Sequence, residues 1–408
     1  MATLPCKLRL AGDWAPCDRR VVTVLDSVSL VVNIEGPILT GSCAEFEKQL
    51  KAGPTMFNRY APVASQPSVA VLANNHLMDF GARGLDETIK TLEGQSYSKN
   101  WRCVGAGITK EQANRPLVFE ADGIEIGILS RCETQFGVAT PTKAGVAAFD
   151  ARVYDQIRSL KEKVDYVIVS VHAAAEMFPW PSPRRQETWR SLIDAGADIV
   201  HGHHSHVPQG WEEYKGGFVF YGLGNFCVDP NKWNWHPQGL WSLAPEFTID
   251  SQGISMSPKT VVIEEMGDSI RVRDANAVEH AKRMVYLDQC NRDLNAPLLL
   301  EGLWQEASIK MYNQYYSRWL GFGSDSMIKS GLRLARAKLG RFKRMLIDRS
   351  FAGNRNPTQN QLLIWYHLFA CDSHNDAIAT ALGVLGGELE DRRTEETARM
   401  VDRYLVLD

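Results

Sequence analysis

Along the first two-thirds of the chain, short apolar runs stop abruptly at polar residues. Lys7–Ala11 leads into Gly12-Asp13, Ser29–Asn33 into Glu35-Gly36-Pro37, and Val69–Ala73 into Asn74-Asn75-His76. Tyr166–Val171 leads into His172, and Ile199-Val200 into His201-Gly202-His203-His204-Ser205-His206. Val219–Tyr221 leads into Gly222-Leu223-Gly224-Asn225-Phe226. Runs of this length, bounded by polar and glycine-rich turns, predict buried strands. Between them the spacing predicts helices over Gly84–Leu92, Val153–Val164 and Pro183–Asp194, the last opened by a Ser182-Pro183 start signal. Strands alternating with helices predict an α/β layered fold, whose sites form beyond the carboxyl ends of the strands.

The texture changes near Ser251. Ile254–Glu265 reads as one strand and Ser269–Arg273 as another. Beyond Asn276 the pattern is helical to the end, with turns near Asn295-Ala296-Pro297, Gly321-Phe322-Gly323 and Gly353–Pro357. A boundary near 275 divides the 408 residues into a unit over 1–275 and a mainly helical one over 276–408, in keeping with cores that rarely grow past about 250–300 residues.

Composition narrows the class. Apolar residues make up 44% and charged ones 23%, as in soluble globular chains, and a net charge of −3 gives no sign of nucleic-acid binding. Eight cysteines without a C-x-x-C pair suggest reduced thiols. No window nears the ~20 apolar residues of a membrane span, and the N-terminus has no signal-peptide core, so a cytoplasmic location is expected. Lys329–Arg349 is a basic amphipathic stretch. It could touch the anionic inner face of a membrane, dock with a solvated basic face, or hold a polyanionic substrate. Oligomeric state is not readable from the pattern.

The chemistry lies at the strand ends. Four of the ten histidines fall between His201 and His206, and alternating imidazoles in a post-strand turn suit a metal. Taken singly, Asp13 could cap a helix, Asn74-Asn75 could form a turn, and His172 could be a satisfied core histidine. Together, Asp13, Glu35, Asn75, His76, His172, His204 and His206 form a mixed oxygen and nitrogen set. It fits Mn, Fe or Zn better than Mg or Ca and has enough donors for two ions. His76, beside Asn75, is placed to protonate a leaving group. Trp233, Trp235, His236 and Trp241 could stack on a ligand, though packing under their loop is the preferred reading.

Gly12-Asp13, Asn33–Pro37, Leu72–His76 with Asp79 and Gly81, Gly105-Ala106-Gly107, His172 with Glu176, Gly202–Val207 and Leu223–Phe226 occur in order. This series resembles the bacterial capsule-synthesis protein A family (CapA, poly-γ-glutamate capsule biosynthesis), within the calcineurin-like metallophosphoesterase superfamily. The resemblance spans roughly residues 5 to 265 and implies a four-layer α/β/β/α sandwich with an added C-terminal helical domain. It implies Asp13 and His206 on a first metal, Glu35 as bridging carboxylate, and Asn75, His172 and His204 on a second. His76 and Asn75 then carry the catalytic role, and Glu176, Asn225 and His203 lie near substrate. One or two divalent ions (Mn, Fe or Zn) are expected. The implied activity is hydrolysis of a small-molecule or polymer phosphoester of a capsule, exopolysaccharide or cell-envelope intermediate by metal-activated hydroxide. Metal-dependent cleavage or transfer at a poly-γ-glutamate amide is the alternative, as is a non-catalytic capsule-assembly factor. The sequence departs from the pattern at two places. Trp14-Ala15-Pro16 follows Asp13 where most of the superfamily has Asp-x-His, and Ala173-Ala174-Ala175 precedes Glu176 where relatives have Trp-Gly. The typical capsule protein also has an N-terminal membrane anchor, which is not expected here.

Overall fold

A computed structural model describes residues 6–25, 28–40, 56–94, 100–250, 253–317 and 359–405. The basic stretch Lys329–Arg349 and the turns at 321–323 and 353–357 lie outside the described residues. The fold is α/β, and two large sheets carry it.

One sheet runs Gly253–Ser257, Glu246–Asp250, Cys6–Ala15, Ser29–Ile34, Ser68–Val71, Trp101–Val104, with Asn225–Val228 also paired to Cys6–Ala15. The other runs Trp211–Tyr214, Gly217–Phe220, Ile199–His203, Tyr166–His172, Ile124–Cys132, Leu117–Ala121. The central strands of each are parallel. Their carboxyl ends therefore lie at one edge of each sheet, where the polar residues begin.

Period-two alternation distributes the core. Leu8, Leu10, Val31, Val69 and Val71 of the first sheet share one apolar cluster with Ile126, Ile128, Ile168, Ile199 and Phe220 of the second. The intervening residues Leu30, Val32, Ile34 and Ala70 face the opposite way. There they meet Leu85 and Leu92 of helix Gly81–Glu93 and Val261, Ile263, Ile270 and Val272 of a four-stranded sheet. The outer face of the second sheet is covered by Ile157, Trp189 and Leu192 from helices Arg152–Lys161 and Pro183–Asp194. The same cluster continues into Leu300, Leu303 and Trp304 of helix Pro297–Met311, and into Ala377, Ile378 and Ala381 of helix Asp372–Gly386.

Local signals explain most boundaries. The Ser182 hydroxyl accepts from the Arg185 N–H at 3.1 Å, capping a helix that starts at Pro183. The expected single strand over Ile254–Glu265 is two, Gly253–Ser257 and Thr260–Met266, which join different sheets. Pro258 sits between them and cannot donate to a ladder. From Ala277 every described element is helical, beginning with Ala277–Leu294, which Asn276 and Glu279 close in a capping box. No helix among the described residues is long and apolar enough to cross a membrane.

Candidate metal centre

Asp13 and Asn33 are paired across adjacent parallel strands, and Asn225 flanks Asp13 on its other side. The glycine before Asp13 is imposed by packing: a Cβ on Gly12 would lie 1.8 Å from the Gly224 carbonyl oxygen. The Asp13 N–H donates to that same carbonyl at 3.1 Å. On the second sheet His172 stands opposite His203. Beyond His203 the chain turns through His204 at φ 84° and His206 at φ 55°. Left-handed backbone at a non-glycine residue costs on the order of 1–3 kcal/mol and persists where surrounding structure holds it. Here the Ser205 carbonyl accepts from the Met177 N–H at 2.9 Å, and the Ser205 hydroxyl donates to the Val207 carbonyl at 2.7 Å.

These ends converge on Glu35. Its Oε1 lies 3.5 Å from His206 Nε2 and 3.8 Å from His172 Nε2. Asp13, Glu35 and His206 form one compact donor group; Glu35, His172 and His204 form a second that shares the same carboxylate. Asn75 Oδ1 lies 2.9 Å from His172 Nε2, beside the second group. His206 Nδ1 faces Asn225 Oδ1 at 3.0 Å, which leaves its Nε2 directed at Glu35. His76 Nδ1 is held by Asp79 Oδ2 at 3.1 Å, and Asp79 also accepts from the Met56 N–H.

The donor set fits a cation. Asp13 Oδ2, both Glu35 oxygens, His204 Nδ1 and both His203 nitrogens are buried with no hydrogen-bond partner among the described residues. An unpaired buried carboxylate is costly, and a metal is the usual compensation. Burial, then the charge on Asp13, pushes the Glu35 carboxyl well above its ordinary range. Burial also raises Asp13, opposed by His206 and by the Asn33 amide donating at 2.8 Å. The imidazoles go the other way: burial holds His172 and His204 well below their usual range and His203 down to about 3. Neutral imidazoles are ready ligands, and a cation would restore the carboxylates to their ionised form.

Residues 13–230 match a family model described as bacterial capsule synthesis protein PGA_cap. The chain belongs to this family. Over 169 residues it is 34% identical to capsule biosynthesis protein CapA of Bacillus anthracis, covering 40% of each chain. Over 161 residues it is 34% identical to PGA biosynthesis protein CapA of Bacillus subtilis (strain 168), covering 38% of this chain and 41% of that one. A probable polyglutamine synthesis accessory protein of Mycobacterium tuberculosis is 31% identical over 186 residues, 41% of this chain and 47% of that protein. The chain thus spans under half the length of these curated relatives.

The capsule-family match contains every strand-end residue singled out from the sequence, and the structure sorts them by position. Asp13, Glu35, Asn75, His172, His204 and His206 surround one centre. Asn225 and His203 lie behind it: Asn225 is fully buried, holding His206 and the Gly239 carbonyl, and His203 Nδ1 is 3.2 Å from Asp13 Oδ1. Glu176 keeps 54% of its side chain exposed and, with Asn75, His76 and His204, lines a cavity of about 430 Å³. Trp14 points into the core, where it donates to the Tyr60 carbonyl, and so does not close the site. Of the aromatic loop, Trp241 and His236 are buried, while the Trp233 ring packs 4.5 Å from that of His206.

Three supporting residues received no site role from the sequence pattern. Asn33 sits inside an apolar run, and its amide reaches both Asp13 and, at 3.2 Å, His172 Nδ1. The Asn74 side-chain Oδ1 accepts from the Gly36, His76 and Leu77 N–H groups, fixing the turn that presents His76. Glu133 is fully buried with Oε1 3.5 Å from His204 Nε2. It follows strand Ile124–Cys132, so the strand-end rule finds it once that strand is recognised.

Proposed function

We propose that the chain is a metal-dependent hydrolase or transferase acting on the amide backbone of an anionic γ-glutamyl capsule polymer. One observation carries the metal-dependent reading: the buried Glu35 carboxylate, unpaired at both oxygens, is shared by an Asp13/His206 group and a His172/His204 group. Family membership and the relatives' names, PGA biosynthesis and polyglutamine synthesis, favour the poly-γ-glutamate substrate over a phosphoester. When bound, divalent metal supplies Lewis-acid polarisation of the scissile group and activation of water.

The chain's own residues supply the rest. Asn33 and Asn225 orient Asp13 and His206, and the Glu133 carboxylate stands behind His204, 3.5 Å from its Nε2. Asp79 keeps the His76 proton on Nδ1, so His76 presents Nε2 to the cavity, placed to hold or pass a proton at the leaving nitrogen.

Phosphoester hydrolysis is the second reading, favoured by the Asn75-His76 pair at a strand end with a carboxylate behind the imidazole. The four-layer α/β/β/α sandwich of metallophosphoesterases belongs to the same reading; the two face-to-face sheets are compatible with it, the second covered by helices and the first by helix Gly81–Glu93 together with a four-stranded sheet. A comparison of oligo-γ-glutamate and bis-(p-nitrophenyl) phosphate as substrates, with parallel metal analysis, separates the readings. We expect amide turnover that falls about 10²–10⁴-fold in His76→Ala with metal content unchanged. Phosphodiester turnover alone would favour the second reading. A metal-free chain inert toward both would leave a non-catalytic assembly factor.

A further inference from the structure

The same cavity is lined by a second donor cluster that the reading above does not use. His367 from helix Gln359–Ala370, Cys371 at the junction, and His374 in the first turn of helix Asp372–Gly386 bring two imidazole nitrogens and a thiol within 4.8 Å of one another. The spacing, His-x₃-Cys-x₂-His, places all three on one face of the helical corner. We propose that His367, Cys371 and His374 form a second metal site that binds a zinc-class divalent ion and leaves its fourth position open to the cavity.

The choice of ion follows from the donors. A thiolate with two imidazoles suits zinc and its analogues and disfavours magnesium or calcium. The rings are held as ligands are. His374 Nδ1 is engaged by the Tyr316 hydroxyl at 2.8 Å, which directs Nε2 inward, and His367 stacks on Phe136 at 4.9 Å between centroids. The two Nε2 atoms lie 2.9 Å apart. Ligands about 2.0–2.1 Å from a tetrahedral zinc stand near 3.3 Å from each other, so the rings need part by only a few tenths of an ångström. Without an ion the two Nε2 atoms satisfy each other, one donating and one accepting, and an ion between them replaces that single hydrogen bond with two ligand bonds. Burial keeps both imidazoles neutral, His367 down to about 4 and His374 to about 3. Burial and Glu133 hold Cys371 as the thiol, so an ion must displace its proton and binding should tighten as pH rises. All three residues line the cavity, which gives an ion both an entry path and an open position.

Cobalt(II) titration of the chelator-stripped full chain tests this, because the Glu35 centre contains no thiolate. A thiolate-to-cobalt charge-transfer band is expected, saturating when one equivalent occupies this cluster. It should be lost in Cys371→Ser, and His374→Ala should bind that equivalent at least tenfold more weakly. Cobalt uptake without the band should persist at the Glu35 centre in Cys371→Ser, whose circular dichroism and melting point should match the parent. Absence of the band in the folded parent at saturating cobalt would overturn the site. So would a band that survives Cys371→Ser, since another cysteine would then be the ligand.

Discussion

Glu133 shows how one side chain ties the candidate metal centre to the helices beyond it. Its Oε2 accepts from the Ser373 N–H at 2.9 Å, the Ser373 hydroxyl at 2.8 Å and Arg185 Nη2 at 3.3 Å, while Oε1 faces His204. A carboxylate behind a ligating imidazole fixes its tautomer and orientation, and removing it typically weakens metal by about 10–100-fold. Glu133→Gln should lower divalent-metal affinity within that range by isothermal titration; unchanged affinity would mean His204 is positioned without it. The residues easiest to read from the sequence were those that end a predicted strand, because parallel topology gathers such ends at one edge. Asn33 was not legible, since its role depends on register against Asp13 rather than on its own neighbours. Nor was the His367, Cys371 and His374 group, whose spacing gains meaning only when a helical corner folds over the cavity.

At the scale of elements, capping decides where the helical half begins. Asn276 Oδ1 accepts from the Val278 and Glu279 N–H groups, and Glu279 returns to the Asn276 N–H at 2.9 Å while pairing with Arg273. Hydrogen bonds from Arg273, then the Asn276 N–H, depress the Glu279 carboxyl from 4.5 to about 2. A depressed acid binds fewer protons in the folded state, so its stabilising contribution is full above pH 4.5 and is lost as pH falls through about 2. Glu279→Gln should therefore be less stable than the parent near neutral pH, by a small margin because the site is exposed. The gap should close toward about pH 2 in denaturant melts. A gap independent of pH would assign the effect to helix propensity instead. The sequence pattern predicted several of the strands buried on both faces, but it missed Ile124–Cys132, a central strand whose apolar run is broken by Glu125, Gly127, Ser130 and Arg131. It also passed over Arg20–Val24, an edge strand half open to solvent, whose outward residues blur the apolar signal.

For the whole molecule, the apolar cluster over the second sheet runs without a break into the helices after Ala277. Trp304 is central to it: the ring packs 6.1 Å from Phe178, and its N–H donates to the Thr380 hydroxyl at 3.1 Å, joining helices Pro297–Met311 and Asp372–Gly386. Trp304→Ala should cost about 3–5 kcal/mol, as for other buried tryptophans. If sheet and helices unfold together, fluorescence and circular dichroism should report one shifted transition. Two separated transitions would indicate independent units. The α/β class was legible from alternation alone, but the joining of helices to sheet was not, because it depends on contacts far apart in sequence.

The family match ends at residue 230, whereas Tyr315, Tyr316, His367 and His374 line the same cavity as Asn75 and His76. The entrance is therefore adjustable apart from the chemistry: exchanges in the helical corner should alter what the cavity admits while leaving Asp13, Glu35, His172, His204 and His206 untouched.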